Sequence, residues 1–478
     1  QEYAPGCLQK WNNFSILHLP CIFMKTLPLL FVCNFLYSIL TAQDSLNMIR
    51  LGHWDDDSLP LAATINNQYS GCWGLALNGR EYAVLGGSKH VLFFDVTDPV
   101  HPQLIGKFEG EKSVVAREFK SYKNRIYGTS DNTNEGLMIF DLSEAPDTVY
   151  RTYWSNEFFG SAHTITLDTT SGRIYLNGTN VANAGLLVLD VSQNPDQPVL
   201  ITKVNLAGGY VHDSYVRNDT IYASSGFEGY YVFDFTDPLH PDSLAQTSTG
   251  GYNHNSWLNE AGTYAYYTEE IPNGKPIHIV DLQTLGVDGL EIVGSFFNTF
   301  LNDTITRSIP HNLYIRDNLL FDSQYEDGLL VYDISQPTQP VFVGHYDTHP
   351  QNTKYNKYYG NWGNYPWLPS GTIISGDMQN GLQLLKLTYV VGTTSPDRDL
   401  PVTVFPNPAT DRLQISVGDY SGNWSYHVIN PFGQTVLSGK TTGQSQTEIY
   451  VGGLPAGVYF IEVQADNGVK SLRKIVVK

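Results

Sequence analysis

A short phrase that recurs along most of the chain restricts the possible folds more than any other feature of the sequence. It consists of three apolar residues, an aspartate, one further apolar residue and often a Ser or Thr and a Pro. Six copies are LFFDVTDP at 92–99, MIFDLS at 138–143, LVLDVS at 187–192, YVFDFTDP at 231–238, HIVDL at 278–282 and LVYDISQP at 330–337. A seventh, degenerate copy is QLLKLT at 383–388, where Lys386 replaces the aspartate. Self-similarity of this kind indicates a fold built from copies of one unit.

The spacing of the phrase indicates four short strands in each unit. Successive key positions are separated by 44 residues (Asp190 to Asp234) to 53 residues (Asp333 to Lys386). Each unit alternates strand-like segments with turns that contain Gly, Asn or Pro, and it lacks the amphipathic helices of a helical solenoid. We therefore expect an all-β fold in which residues 43–390 form a seven-bladed β-propeller.

The two ends of the repeat region predict how such a ring is closed. The seventh unit has no fourth strand after its phrase, but the segment LGHWD at 51–55 resembles VGHYD at 343–347, which follows the sixth phrase. We expect residues 47–55 to pair with residues 381–388. The last blade would then contain strands from both ends of the region and leave no open edge.

The phrases at 187–192 and 330–337 resemble LVIVD repeats. The region from about Gln43 to Tyr389 resembles the choice-of-anchor B family as a whole. This resemblance implies a secreted or surface-anchored bacterial protein, and it implies no known activity. Units five and seven depart from the phrase, so their turns are expected to differ.

The N-terminal segment has the pattern of an export signal. Met24 and Lys25 precede an apolar run that ends near Ala42, which predicts a signal peptide over 24–42 after a non-native or misassigned extension over 1–23. A transmembrane anchor and a lipoprotein signal at Cys33 fit less well, because the run is short and bulky residues precede that cysteine. No transmembrane segment is expected in the mature chain. Cys72 is its single cysteine, expected to be a small buried residue.

The C-terminal part has a different composition and predicts a separate domain. A polar linker over 391–400 precedes residues 401–478, whose alternating apolar residues and Pro-, Asn- and Gly-rich turns predict a small β-sandwich. The segments VFPNPATD at 404–411 and LPAGVYFIEV at 454–463 resemble the type A sorting domain of the type IX secretion system. This implies the type IX secretion machinery as a partner, a Bacteroidetes-like source, and a secreted or cell-surface location. The alternative is an ordinary immunoglobulin-like spacer.

A second recurring feature, which we call the histidine row, precedes the phrases. Four units carry a histidine near the start of their predicted first strand, while Trp73 takes this place in unit one and Arg117 is the nearest equivalent in unit two. The four histidines are His163, His212, His254 and His311. Equivalent positions on the innermost strands of a propeller face its axis, so we expect the imidazoles at one level of the central channel.

Such a cluster predicts a candidate site for a divalent transition metal such as zinc, because imidazole is a common ligand and catalytic zinc often has three protein ligands plus water. Asp213, Glu118 and Glu269 are candidates for a further ligand or a general base. Two other interpretations remain open. The histidines can be inherited hydrogen-bonded caps of the inner strands, or the channel can bind an anion or a sugar.

The ligand-binding candidates are aromatic or charged side chains near the predicted channel. They are Trp73, Arg117, Asp213 and Trp362, the last from an aromatic stretch over 355–367 that is suited either to stacking on sugars or to packing in the core or a loop. A net charge of -19 argues against nucleic acid as a partner. The predicted function is therefore binding or adhesion, with an extracellular glycan or protein as the ligand. The alternative is a metal-dependent, hydrolase-like enzyme with a His-lined channel, although the sequence contains no familiar catalytic motif.

Overall fold

The structure, a computed structural model, describes residues 45–181, 185–285, 289–298, 307–351, 355, 358–389, 400, 402–418, 420–430, 434–466 and 470–478. The predicted extension over 1–23 and the predicted signal peptide over 24–42 lie outside these described residues. Within them the chain forms β-strands and turns and contains no helix.

The described residues of the repeat region form twenty-nine strands. They are β1 (Ser45–Leu46), β2 (Met48–Trp54), β3 (Tyr69–Leu77), β4 (Arg80–Gly87), β5 (His90–Asp95), β6 (Gln103–Glu109), β7 (Arg117–Tyr122), β8 (Arg125–Ser130), β9 (Leu137–Asp141), β10 (Tyr150–Ser155), β11 (Thr164–Asp168), β12 (Arg173–Asn177), β13 (Gly185–Asp190), β14 (Val199–Asn205), β15 (Asp213–Arg217), β16 (Thr220–Ser224), β17 (Tyr230–Asp234), β18 (Asp242–Thr247), β19 (Asn253–Leu258), β20 (Tyr264–Glu269), β21 (Ile277–Asp281), β22 (Glu291–Phe296), β23 (Asn312–Arg316), β24 (Leu319–Ser323), β25 (Leu329–Asp333), β26 (Val341–Tyr346), β27 (Asn361–Tyr365), β28 (Thr372–Asp377) and β29 (Gly381–Leu387).

These strands form seven antiparallel sheets, five built only from consecutive strands of one sequence unit and two that also contain β1 or β2. The sheets are β3–β6, β7–β10, β11–β14, β15–β18, β19–β22, β23–β26 with β1, and β27–β29 with β2. In each sheet the repeat phrase forms the third strand, which lies between two partners. The arrangement of many four-stranded antiparallel sheets is consistent with a β-propeller.

The aspartate of the phrase recurs for a structural reason. In six units its carboxylate accepts a hydrogen bond from the backbone N–H two residues later, at 2.6–3.0 Å. The apolar residue between them is buried, and in five of these six units its N–H donates to the turn between the first two strands, as Val191 does to the Gly172 carbonyl. A carboxylate here satisfies a backbone donor that the turn leaves free.

The first strands of the seven sheets contact one another in cyclic order. We call them the inner strands: β3, β7, β11, β15, β19, β23 and β27. Strand β27 contacts β3 again, so the inner strands form a closed ring. The predicted closing pair is confirmed, because β2 pairs with β29 antiparallel from Met48 opposite Leu387 to Trp54 opposite Leu382. Strand β1 then pairs with β26 of the preceding sheet.

The core of the repeat region lies between neighbouring sheets. Phe93 of the first sheet and Phe140 of the second are both fully buried, with ring centroids 4.9 Å apart. Burial of one such side chain stabilises the fold by roughly 1.5–3 kcal/mol. Cys72 is a buried free cysteine of this core, as expected.

Seven strands lie in the part of the C-terminal region that the structure describes. They are β30 (Thr403–Phe405), β31 (Arg412–Ser416), β32 (Trp424–Ile429), β33 (Thr435–Thr441), β34 (Gln446–Tyr450), β35 (Gly457–Ala465) and β36 (Lys470–Val477). They form a sheet in the order β30-β31-β34 and a sheet in the order β33-β32-β35-β36. Leu413 and Ile449 of the first sheet share one buried core with Val428 and Ile461 of the second.

Candidate functional site

The histidine row lies where four consecutive inner strands begin. His163, His212 and His311 immediately precede β11, β15 and β23, and His254 is the second residue of β19. The centroids of neighbouring rings are 4.2, 4.3 and 4.2 Å apart along the row. The four imidazoles therefore form a continuous row across four sheets.

Three of the histidines are hydrogen-bonded from one sheet to the next. Nδ1 of His212 contacts the carbonyl of His254 at 2.9 Å, and Nδ1 of His254 contacts the carbonyl of His311 at 3.2 Å. His311 continues the pattern to the carbonyl of Trp362 at 2.6 Å. Because a carbonyl only accepts, Nδ1 carries the proton in each ring, and Nε2 of the neutral imidazole keeps its lone pair.

The surroundings of these three rings favour the neutral form. His212, His254 and His311 are at most 4% exposed. Burial, followed by the neighbouring histidines, lowers the pKa of His212 and His254 well below the usual value. Burial lowers the pKa of His311 to about 3. These three histidines are therefore uncharged at neutral pH.

His163 at the other end of the row has a different partner. Its Nδ1 lies 3.2 Å from the Asp131 carboxylate. Burial opposes the charge on this ring, but the hydrogen bond and the negative charge of Asp131 outweigh it and raise the pKa of His163. Asp131 belongs to the segment 131–136, which forms a turn between β8 and β9.

Trp362 ends the row on the side of the seventh sheet. Its ring lies 4.9 Å from that of His311, and its indole Nε1 donates to the Glu118 carboxylate at 2.6 Å. Burial raises the pKa of Glu118. Trp362 and Glu118, two residues predicted near the channel, are thus brought together next to the row.

The structure adds Glu270 to the row in place of Glu269. Donor atoms of His254, His311 and Glu270 all lie within 4.8 Å of one another, and all three residues are buried. Glu269 instead contacts His278 at 3.2 Å. Sequence reasoning missed Glu270. A signal existed, because adjacent side chains of a strand point to opposite faces, so Glu269 and Glu270 cannot both face the row.

Arg117 has its own buried partner. Its guanidinium pairs with Glu135, and both side chains have no exposed area. In the register of the sheets, Arg117 pairs with Ser130, the last residue of β8, as Asp213 pairs with Ser224, the last residue of β16. Arg117 is therefore one residue past the position of the histidines.

Trp73 also lies at another level of the ring, so its alignment with the histidines is wrong. It pairs with Val84, three residues before the end of β4, as Trp257 pairs with Tyr266 three residues before the end of β20. The hairpin between β3 and β4 causes the difference, because Trp73 stands eleven residues before its partner Val84, whereas Tyr215 stands seven residues before its partner Tyr222. A constant distance from the phrase cannot reveal a longer hairpin.

The level of Trp73 contains a cavity of about 460 Å³, which we call the aromatic cavity. Its aromatic lining comes from five inner strands and one following residue: Trp73, Tyr215, Trp257, Tyr314, Tyr365 and Trp367. Ring centroids of Trp73 lie 5.5 Å from Tyr314 and 5.0 Å from Tyr365. A sequence signal existed, because an aromatic residue stands three positions after His212, His254, His311 and Trp362.

Charged groups complete the aromatic cavity. The Lys120 ammonium lies 4.0 Å from the centroid of the Trp73 ring, and burial lowers the pKa of this lysine. The Asp213 carboxylate lines the same space and accepts hydrogen bonds from Thr164 at 2.9 Å and from Asn255 at 2.7 Å. The cavity therefore combines aromatic surface with a donor and an acceptor.

The fold is that of a repeat protein with a closed ring of inner strands, and comparison with known families agrees. Residues 179–206 and 323–348 match the LVIVD repeat, and residues 403–478 match the secretion system C-terminal sorting domain. The resemblances to LVIVD repeats and to the sorting domain are thus confirmed. The comparison with curated proteins gives no match.

The sorting domain establishes the destination of the chain. It indicates secretion through the type IX secretion machinery to the cell surface or the extracellular space. In the described part of the chain there is no helix that is long and apolar enough to cross a membrane.

Proposed function

We propose that this chain is a secreted or cell-surface seven-bladed β-propeller of the choice-of-anchor B family that binds an extracellular glycan in the aromatic cavity. Seven sheets and a closed ring of seven inner strands support the blade count. The C-terminal region is then a β-sandwich, because its two sheets share one core. The signal peptide over 24–42 completes the export route.

The aromatic cavity is the observation that carries the binding function. Its volume of about 460 Å³ lies within the range of small-molecule sites, roughly 300–1,000 Å³. It is built from several sheets around the ring, so the rigid scaffold fixes its shape. Protein partners more often use broad and flatter surfaces, which makes a small-molecule or glycan ligand the better fit.

The chemistry of the lining favours a sugar. Aromatic rings provide apolar faces for the C–H surfaces of a pyranose ring, and hydroxyl groups both donate and accept hydrogen bonds. Lys120 supplies a cationic group and Asp213 an acceptor at the same cavity. The net charge of -19 disfavours polyanions such as nucleic acid.

A glycan array probed with the full chain, followed by calorimetric titration of the best ligand, tests this function. Trp257→Ala removes an aromatic wall that lies 5.2 Å from Tyr314 and 4.3 Å from Tyr215. We expect this substitution to weaken binding by about tenfold or more, which corresponds to about 1.4 kcal/mol.

The matched control is Trp154→Ala. Trp154 is 44% exposed on the outer strand β10, so its removal should leave glycan affinity unchanged. Thermal melting of both variants separates lost binding from lost folding. Absence of any glycan ligand, or equal affinity of the Trp257 and Trp154 variants, would contradict the proposed function.

A further inference from the structure

We propose that His254, His311 and Glu270 form a binding site for one divalent transition-metal ion. The donor atoms of these residues all lie within 4.8 Å of one another, and none of the three residues is more than 9% exposed. The site is narrower than the four-histidine cluster expected from sequence, because His163 and His212 are not part of it.

The imidazoles are already oriented as metal ligands usually are. In metalloproteins the nitrogen that does not bind the metal typically donates to a carbonyl or carboxylate, which fixes the tautomer and the ring. Nδ1 of His254 and of His311 each donate to a backbone carbonyl of the next sheet, at 3.2 and 2.6 Å. Nε2 is consequently the atom available for coordination in both rings.

The carboxylate is held in a comparable way. The hydroxyl of Tyr325 donates to Oε1 of Glu270 at 2.8 Å, which leaves Oε2 for a further partner. Tyr325 itself packs against His311, with ring centroids 4.4 Å apart. Among the described residues no Lys or Arg pairs with Glu270, and a buried carboxylate is costly without a cation. A bound metal ion would supply that charge.

Two histidines and one glutamate are an established type of donor set. Catalytic zinc occurs with this set plus water, and non-haem iron uses two histidines and a carboxylate with open positions. Two ligand atoms that each lie about 2.1 Å from a tetrahedral ion are about 3.4 Å apart. The observed donor atoms lie within 4.8 Å of one another, so side-chain movements of about 1 Å bring them to coordination distance.

The metal site does not depend on the proposed glycan site. None of its three residues lines the aromatic cavity. The metal can therefore be present or absent whatever the cavity binds, and each proposal can fail alone.

Calorimetric titration of the chelator-treated full chain with Zn²⁺, repeated with Co²⁺ and followed by its visible absorption, tests the site. We expect one equivalent to bind and a Co²⁺ spectrum of low coordination number. Glu270→Gln keeps the acceptor for Tyr325 but removes the charge, and it should weaken binding by about 100-fold. Tyr325→Phe leaves all ligands in place and should weaken binding by about tenfold.

His212→Gln is the matched control. His212 has the same burial and the same type of Nδ1 hydrogen bond as His254, but it lies outside the three-residue cluster. Its variant should bind Zn²⁺ within about twofold of the unmodified chain. No stoichiometric binding, or equal losses in the His212 and Glu270 variants at unchanged melting temperature, would overturn the proposal. If Glu270→Gln fails to fold, unchanged affinity in Tyr325→Phe is the contradicting result.

Discussion

The recurring aspartates and the histidine row differ in what their hydrogen bonds connect. The carboxylate of Asp190 accepts the N–H of Ser192, two residues away, so its bond stays within one turn. The Nδ1 of His212 reaches the carbonyl of His254 in the next sheet. The aspartate bond fixes one local turn, whereas the imidazole bond links two sheets and leaves a second ring nitrogen without that contact. Recurrence alone therefore does not separate structure from function, but the parts of the fold that a hydrogen bond connects do.

Among the contacts between units, those that close the ring should contribute most to stability. Deleting residues 45–54 removes β1 and β2, including the buried Met48, and leaves the edge of β29 unpaired. We expect a loss of stability above about 5 kcal/mol and a tendency to associate, because an open sheet edge pairs with other chains. Thermal melting and light scattering measure both. Unchanged melting would show that the units are held together without closure.

The next largest loss of stability is expected for a substitution in unit two. Arg117→Ala leaves the carboxylate of Glu135 buried without its partner, and breaking such a pair costs about 3–5 kcal/mol. Denaturant unfolding of the full chain measures the loss. Arg412→Ala, which breaks an exposed pair with Glu448, is the control and should cost at most about 1 kcal/mol. Similar losses in the two variants would contradict a structural role of Arg117.

Substitutions in the local turns should have a smaller effect on stability. Asp190→Ala removes the acceptor for the Ser192 N–H and should lower the free energy of unfolding by about 1 kcal/mol. Asp190→Asn keeps an acceptor and should recover most of that loss. If both variants are as stable as the unmodified chain, the recurrence of the aspartate needs another explanation.

The pH dependence should distinguish two members of the histidine row. The pKa of His163 is raised, so its stabilising effect is complete below the unfolded value near 6.5 and is lost as pH rises through the folded pKa. The pKa of His212 is lowered, so its contribution is complete above 6.5 and is lost on acidification. With chelator present, His163→Gln should lose more stability at pH 5.5 than at pH 9.

The His212→Gln variant should show the opposite pH dependence. Its stability should fall less between pH 6.5 and pH 5 than that of the unmodified chain. Denaturant midpoints across this range provide the measurement. Identical pH profiles for the two variants would show that Asp131 does not set His163 apart from the other histidines.

Much of the fold could be predicted because it repeats. The phrase identified the third strand of every sheet, and the likeness of residues 51–55 to 343–347 identified the closing strand β2. The pairing of β1 with β26 had no such copy elsewhere in the chain. It depends on a two-residue contact that only the closed ring creates.

The candidate sites could be predicted less well. The histidines were visible because they recur, but the longer hairpin between β3 and β4 displaced Trp73 from their level. Glu270 belongs to a single unit, and neither periodicity nor spacing marks it. Whether a side chain has an atom available for a ligand depends on its neighbours in other sheets. A constant interval along the chain does not show those neighbours.

Hydrogen–deuterium exchange of the full chain with and without its best glycan ligand tests most directly whether binding lies in the ring of inner strands. The account predicts protection of peptides that cover β19, β23 and β27, with no change in the turns after Asp190 and Asp333. Protection confined to those turns, or to the C-terminal region 403–478, would contradict it.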